Sequence, residues 1–182
     1  MKTLLRRMLR AALLDAHTYE EVEADRRSLG QALLVVLLAC AAIGAAQAWR
    51  GAQAGSSNDQ LVFQVLLSVI EPLALWIGGS AFAFMVGASF LRGPATQTDF
   101  AEVLRTTGFA FSPALLCAFG AMPAPLGSGI GLLARVWTFA AVVVAIRQAL
   151  DFDTKRAVAT FGIAALLLWL MLWGASVAPL PF

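Results

Sequence analysis

Residues 28–49 read SLGQALLVVLLACAAIGAAQAW, a run without one charged side chain. A bilayer core takes about 20 apolar residues of helix, so this run alone is long enough to cross. Residues 72–91 and 157–182 are uncharged over comparable lengths. Across all 182 residues the chain is 60% hydrophobic and 13% charged, with a mean hydropathy of +0.79. A soluble domain carries roughly 25% charged residues, so the fold class expected is all-α: an integral membrane bundle with no soluble domain beside it.

The uncharged interval 106–134 is too long for one span and is broken by Pro123, Pro125, Gly127, Gly129 and Gly131. It divides into a helix ending near Met122, a tight turn, and a helix starting near Ile130. That gives an arm over residues 1–28 and a membrane domain over 29–182, with five transmembrane helices at about 29–49, 72–91, 104–122, 130–147 and 157–178. Arg135 lies inside the fourth, so a four-span reading stays open. With the N-terminus inside, Lys2, Arg6, Arg7, Arg10, Arg26, Arg27, Arg92, Arg105, Arg147, Lys155 and Arg156 fall on the cytoplasmic side. Of the 13 basic residues only Arg50 and Arg135 do not, the bias that sets orientation in membranes. Trp49, Trp76, Trp137 and Trp173 then lie in the outer halves of their helices, as an aromatic belt would. The expected location is a bacterial inner membrane, with the N-terminus cytoplasmic and the C-terminus periplasmic. The charges of Arg6, Arg7, Arg10 and Asp15 interrupt any signal-peptide core. The net charge of +2 is a topology signal, and no nucleic-acid partner is expected.

In the arm, Met1, Leu4, Leu5, Met8, Leu9, Ala12, Leu13 and Ala16 recur at helical spacing, with Lys2, Arg6 and Arg10 opposite. This pattern predicts an N-terminal amphipathic interfacial helix. Lys2, Arg6, Arg7 and Arg10 are its membrane-surface residues, each contributing about 1 kcal/mol near anionic lipid. The alternative is a helix packed on the protein's own cytoplasmic loops. Thr18 and Glu21 have capping-box spacing for a second short helix. The acidic group Glu20, Glu21, Glu23 and Asp25 would face cytosol or basic loops.

Further along, residues 61–70 suit the outer interface, ahead of Glu71 and of Pro72 in the first turn of its helix. Gly79, Ala83 and Gly87 form a helix-packing ridge of small residues, suited to internal packing or to a second copy of the chain. Gly93 and Pro94 turn the chain. Asp99 with Glu102 has capping-box spacing. Pro113 should kink the third span and free a carbonyl one turn earlier. Asp153 and Thr154 suit the cap of the fifth helix. Glu71 and Arg135 are a candidate intramembrane ion pair, the alternative being that each reaches the interface separately.

No catalytic constellation is visible, and no cofactor or metal is expected. His17 is the single histidine, Cys40 and Cys117 sit in apolar runs, and the 127–131 glycines follow no strand. Asp99, Glu102, Asp151 and Asp153 could meet at a divalent cation, although capping and pairing with Arg105, Lys155 and Arg156 account for them equally.

Three segments, YEEVEAD at 19–25, DFAEVLRTTGFAFSP at 99–113 and RQALDFDTKRA at 147–157, resemble the bacterial branch of the Yip-domain family, relatives of the eukaryotic Ypt/Rab-interacting membrane proteins. The motif positions carrying the resemblance are Tyr19, Asp25, Asp99, Gly108, Pro113, Asp151 and Asp153. The resemblance implies a five-span helical protein with a cytoplasmic N-terminus. It also implies a non-catalytic role in binding partners or organising lipid. In the eukaryotic relatives a longer N-terminal region carries much of the binding of Rab-type GTPases; here only residues 1–28 precede the first span. The expected function is therefore a partner-binding adaptor or a membrane- and lipid-organising protein, with the lipid bilayer, anionic lipids and a protein as partners. A small transporter or transporter subunit is the alternative.

Overall fold

The computed structural model describes residues 2–92 and 98–177, and every regular element among them is helical. In chain order these are α1 (Lys2–Ala12), α2 (Ala16–Ala24), α3 (Ser28–Gln53), α4 (Asn58–Met85) with a π-helical extension (Val86–Phe90), α5 (Phe100–Phe109), a 3-10 segment (Ser112–Ala121), α6 (Leu126–Ala149) and α7 (Thr154–Val177). Five stretches are long and apolar enough to cross a membrane: Ser28–Gln53, Asn58–Phe90, Phe100–Ala121, Leu126–Ala149 and Thr154–Met171. Helices suit lipid because their backbone groups bond within the segment. The turn expected at Gly93 and Pro94, and the chain end beyond residue 177, lie outside the described residues.

The second span starts well before the expected residue 72. Ser57 and Gln60 form a reciprocal cap, Ser57 N–H donating to Gln60 Oε1 at 3.0 Å and Gln60 N–H to Ser57 Oγ at 3.4 Å. These bonds satisfy donors that a helix start leaves open, so residues 61–70 become the first half of the span rather than an interfacial segment. Pro72 consequently sits in the helix interior, and Glu71 lies about 20 Å along the axis from Asn58 at 1.5 Å per residue.

The fourth span likewise begins earlier, at Leu126 instead of Ile130. Gly127, Gly129 and Gly131, expected in the preceding turn, belong to its first turns. A Cβ on Gly127 would collide with the Met122 carbonyl, so this glycine lets the chain reverse tightly behind the 3-10 segment. Between α3 and α4 the reversal uses Gly55 at φ 74. There Ser56 N–H reaches back to the Gly51 carbonyl at 2.9 Å, a Schellman closure that favours glycine in the left-handed position.

The third span is the axis of the bundle: 67% of its most apolar 18-residue stretch is buried, against 17% for that of the second and 39% for that of the first. Pro113 does not kink a continuous helix there. Instead α5 ends at Phe109 and Pro113 stands in the first turn of the 3-10 segment. The Phe109 carbonyl, which proline leaves without a backbone donor, accepts the Ser112 hydroxyl at 2.7 Å. The tighter winding continues through the ten residues to Ala121, longer than 3-10 runs usually are.

Around this axis α3, α4 and α6 close in, and α7 packs outside on α4 and α6. Gly108 permits the closest approach: a Cβ there would lie 2.7 Å from the Ala32 Cβ and 3.1 Å from the Trp76 Nε1. Trp76, only 4% exposed, donates its indole N–H to the Leu104 carbonyl at 3.0 Å. The Ser80 and Thr107 hydroxyls meet at 2.7 Å. On the other side Ala83 and Gly87 of the small-residue ridge pack inward. A Cβ on Gly87 would strike Leu150, and Ala83 joins Val103, Ile146, Ala149 and Phe152 in one apolar cluster. Gly79 has nothing within 4 Å of where its Cβ would be, so the ridge is internal at two of its three positions.

Gly108→Ala should therefore lower stability by about 1–3 kcal/mol through overpacking. Gly30→Ala, where a Cβ meets nothing within 4 Å, should be neutral or stabilising by up to about 1 kcal/mol. Melting temperatures of the two variants in one detergent check this contrast.

Candidate functional site: the joint between the arm and the bundle

Residues 2–24 fold into a hairpin of α1 and α2 laid into one end of the bundle, here called the arm end. Leu14 closes α1 in the left-handed conformation at φ 61, with Asp15 N–H bonded to the Arg10 carbonyl at 3.1 Å. Asp15, not Thr18, then caps α2. Its carboxylate accepts His17 N–H at 3.2 Å and the Thr18 hydroxyl at 3.1 Å, and pairs with Arg10 at 2.6 Å. The Thr18–Glu21 box fails because Thr18 is fully buried two residues inside the helix.

Arg7 ties the two helices together. Its Nε donates to Glu21 Oε1 at 2.9 Å, while Nη1 reaches Asp25 Oδ2 and Gln31 Oε1, both at 3.0 Å. The side chain is 8% exposed, and its partners Glu21 and Asp25 are 35% and 32% exposed. Tyr19, fully buried, donates its phenol to the Ala11 carbonyl at 3.0 Å, and burial pushes that phenol's pKa up. Met8, Ala11, Tyr19 and Val22 thereby join Ala32, Val35, Val36, Phe109 and Ala141 in one core.

The hairpin is also held from the bundle side. Trp137 donates its indole N–H to the Ala12 carbonyl at 2.7 Å. Trp137 stands about 18 Å from the Ala149 end of α6 at 1.5 Å per residue, so the tip of the hairpin sits beside the middle of that helix. Arg105, 4% exposed, donates to the Glu23 carbonyl at 2.6 Å and lies 3.8 Å from Glu102. Gln148 donates to Glu20 at 2.9 Å, and the Ser28 hydroxyl to the Val22 carbonyl at 2.7 Å. Trp76 and Trp137 thus serve as internal clamps rather than belt residues, while Trp49, Trp169 and Trp173 are exposed.

Of the surface residues expected on α1, Arg6 is exposed, Arg7 is spent inside the joint, and Arg10 is paired with Asp15. The side chain of Lys2 lies outside the described residues. What α1 turns outward is Leu5, Leu9 and Leu13, at 59%, 58% and 73% exposed.

The three motif segments meet here. Asp99 and Glu102 form the expected reciprocal cap of α5, at 2.8 and 2.9 Å. Asp153 accepts Arg156 N–H at 2.8 Å at the start of α7. Asp151 closes α6 in the left-handed conformation at φ 51, with Phe152 N–H bonded to the Arg147 carbonyl at 2.9 Å. Aspartate tolerates that conformation better than most residues. Among the described residues, no group of three or more His, Cys, Asp or Glu side chains is placed to hold a metal ion.

Glu71 and Arg135 are not brought together: among the described residues no ion pair at 4.0 Å or closer joins them, and both are exposed. α4 and α6 stand on the third span without packing substantially on each other, and Glu71 lies deep in its span rather than at its start. Sequence reasoning missed the Arg7 network and the Trp137 clamp. Charge complementarity between the basic run at 2–10 and the acidic run at 20–25 signals the first, and nothing in the pattern signals the second.

Glu23 is the titratable focus of the joint. Burial, then the neighbouring charges of Glu102 and Asp151, push its carboxyl up to about 7, with Glu20 adding and Arg105 opposing. Asp25 is held below the ordinary carboxylate range by the backbone N–H of Arg27 and by Arg7. Asp15 is held low too, the Thr18, Arg10 and His17 bonds outweighing burial.

A family model described as Yip1 domain matches residues 12–176. No curated protein and no solved structure matches the chain.

Because Glu23 holds its proton more tightly folded than unfolded, its contribution to stability is fully present below about 4.5 and is lost as pH rises through about 7. Asp15 and Asp25 act oppositely, losing their contribution only as pH falls below the ordinary value of 3.8. Glu23→Gln should flatten the decline in melting temperature between about pH 5 and 8 and leave the acid limb in place, as thermal scans across pH would record.

Proposed function

Because the chain belongs to the Yip1-domain family, we propose that it works as a non-catalytic membrane-organising protein whose arm presents a fixed apolar row to the bilayer. The observation that carries this reading is the pairing of a locked inner face with an exposed outer one. Met8, Ala11 and Arg7 fasten α1 to the bundle, while Leu5, Leu9 and Leu13 point away from it. An exposed apolar helical face favours lipid over water, and here the helix is held against the bundle, its tip beside the middle of α6, instead of diffusing onto the surface. Exposed Arg6, Arg26, Arg27, Lys155 and Arg156 add attraction for anionic lipid. The excess of basic residues at this end supports a cytoplasmic arm end, in an inner membrane if the source is bacterial.

The packing favours this role over transport. Tyr19, Val22, Val35, Val36 and Phe109 are fully buried at the arm end and fill the axis a substrate would follow. A protein partner would meet the arm end through the acidic rim of Glu20, Asp99, Asp151 and Asp153 beside Lys155 and Arg156. That contact would make the same surface an adaptor.

Replacing Leu5, Leu9 and Leu13 together by serine tests the reading in full-length protein reconstituted into vesicles. Because these side chains are exposed, the melting temperature in detergent should change little. The effect of the protein on lipid packing, read by an order-sensitive membrane dye, should fall to near that of empty vesicles. Arg6→Gln should weaken the dependence on anionic lipid. An undiminished effect of the serine variant on lipid packing would refute the role of the row.

A further inference from the structure

Arg50 and Arg135, the two basic residues outside the arm-end set, line one cavity at the opposite end of the bundle. It is about 110 Å³, lies between α3, the 3-10 segment and α6, and is floored by Cys117 and Gly120. Gly127, Ser128 and Gly131 of α6 complete the wall on one side, Ile43, Ala46 and Gln47 of α3 on the other. No carboxylate is among the lining residues. Among the described residues neither guanidinium has a hydrogen-bond or ion-pair partner, and the acidic residue expected to answer Arg135, Glu71, does not pair with it.

Both arginines are exposed, so these two unanswered positive charges on one cavity repel each other, and Arg135, inside a span, carries a charge that lipid answers poorly. Arg135 lies about 13 Å along α6 from Leu126 at 1.5 Å per residue, too far in to be an ordinary end-of-helix anchor. Gly127 and Ser128 of the lining stand in the first turn of α6, which has no side-chain cap and whose backbone dipole favours negative charge. Gly131 is buried, and a Cβ there would stand 3.6 Å from Arg135 Nη1. The absence of a larger side chain leaves room for the guanidinium fork. Arginine forks match phosphate oxygens bidentately.

We propose that this cavity is an anion site in which Arg50 and Arg135 together hold a phosphate group, that of a bilayer phospholipid headgroup. The size admits one phosphate-sized group, a liquid water occupying about 30 Å³, with glycerol and acyl chains outside against the exposed Leu132, Leu133 and Val136 of α6. The site is independent of the arm, so failure of the membrane-organising role would leave it standing, and the reverse.

Native mass spectrometry and thermal shift on the full-length protein in detergent test it, with phosphatidylglycerol, phosphatidylcholine or inorganic phosphate as the added probe. Phosphatidylglycerol should bind and raise the melting temperature, with affinity falling about tenfold in Arg50→Gln and in Arg135→Gln and little changed in Arg92→Gln at the other end. Protection by inorganic phosphate that is lost in the same two variants would support the anion site with free phosphate as its source. Lipid binding unchanged by either substitution would overturn the site. Alkylation of Cys117 in a Cys40→Ala background provides a readout that spares both arginines. Bound lipid should slow it severalfold, and an unaffected rate alongside confirmed lipid binding would place the lipid elsewhere and overturn the assignment.

Discussion

The guanidinium of Arg7 is the central tie that sets the arm in register with the membrane bundle, with the bonds of Trp137, Arg105 and Gln148 made around it. Its bonds to Glu21, Asp25 and Gln31 span α1, the end of α2 and the start of α3. A charge-assisted hydrogen bond contributes about 1.5–3 kcal/mol; the partial exposure of Glu21 and Asp25 places these at the lower end of that range. With α1 fixed in this way, Tyr19 and Met8 fall into the core, the Ala12 carbonyl meets Trp137, and Leu5, Leu9 and Leu13 are left facing out. The arm is thus a structural layer of the membrane domain.

This lock explains why residues far apart in sequence form one unit. Arg105 answers the Glu23 carbonyl at the end of α2, Gln148 answers Glu20, and the left-handed turn at Asp151 carries a carboxylate close enough to Glu23 to help raise its pKa. Tyr19 and Asp25, Asp99 and Gly108, and Asp151 and Asp153 each close a helix, fill a core position or permit a close approach at the joint. All six lie within residues 12–176, the stretch matched by the Yip1-domain model.

Much of the fold was legible because lipid imposes simple rules. Uncharged length pointed to three spans, the proline and glycine break divided residues 106–134 into two more with a four-span reading left open, and the capping residues at Asp99, Glu102 and Asp153 marked helix starts that the structure keeps. The misplaced helix bounds came from taking charge, proline and glycine as boundaries. Glu71 and Pro72 stand inside α4 because the Ser57–Gln60 cap starts the helix earlier, and the glycines before Ile130 lie inside α6 because they allow a tight reversal. The arm was half legible. Its amphipathic spacing gave the helix, but a basic residue on a helix surface does not announce whether lipid phosphate or an internal carboxylate will neutralise it. Arg7 chose Glu21 and Asp25. The cavity of Arg50 and Arg135 was still less accessible, since their convergence depends on the packing of α3 against α6 through the 3-10 segment.

Hydrogen–deuterium exchange on the full-length protein in a bilayer, comparing wild type with Arg7→Ala, tests the locked arm most directly. In the wild type the amides of α1 and α2 should be protected to a degree approaching those of α3. In Arg7→Ala α1 should exchange far faster while the five spans keep their protection. Fast exchange of α1 in the wild type, or protection of α1 that does not depend on Arg7, would contradict the account.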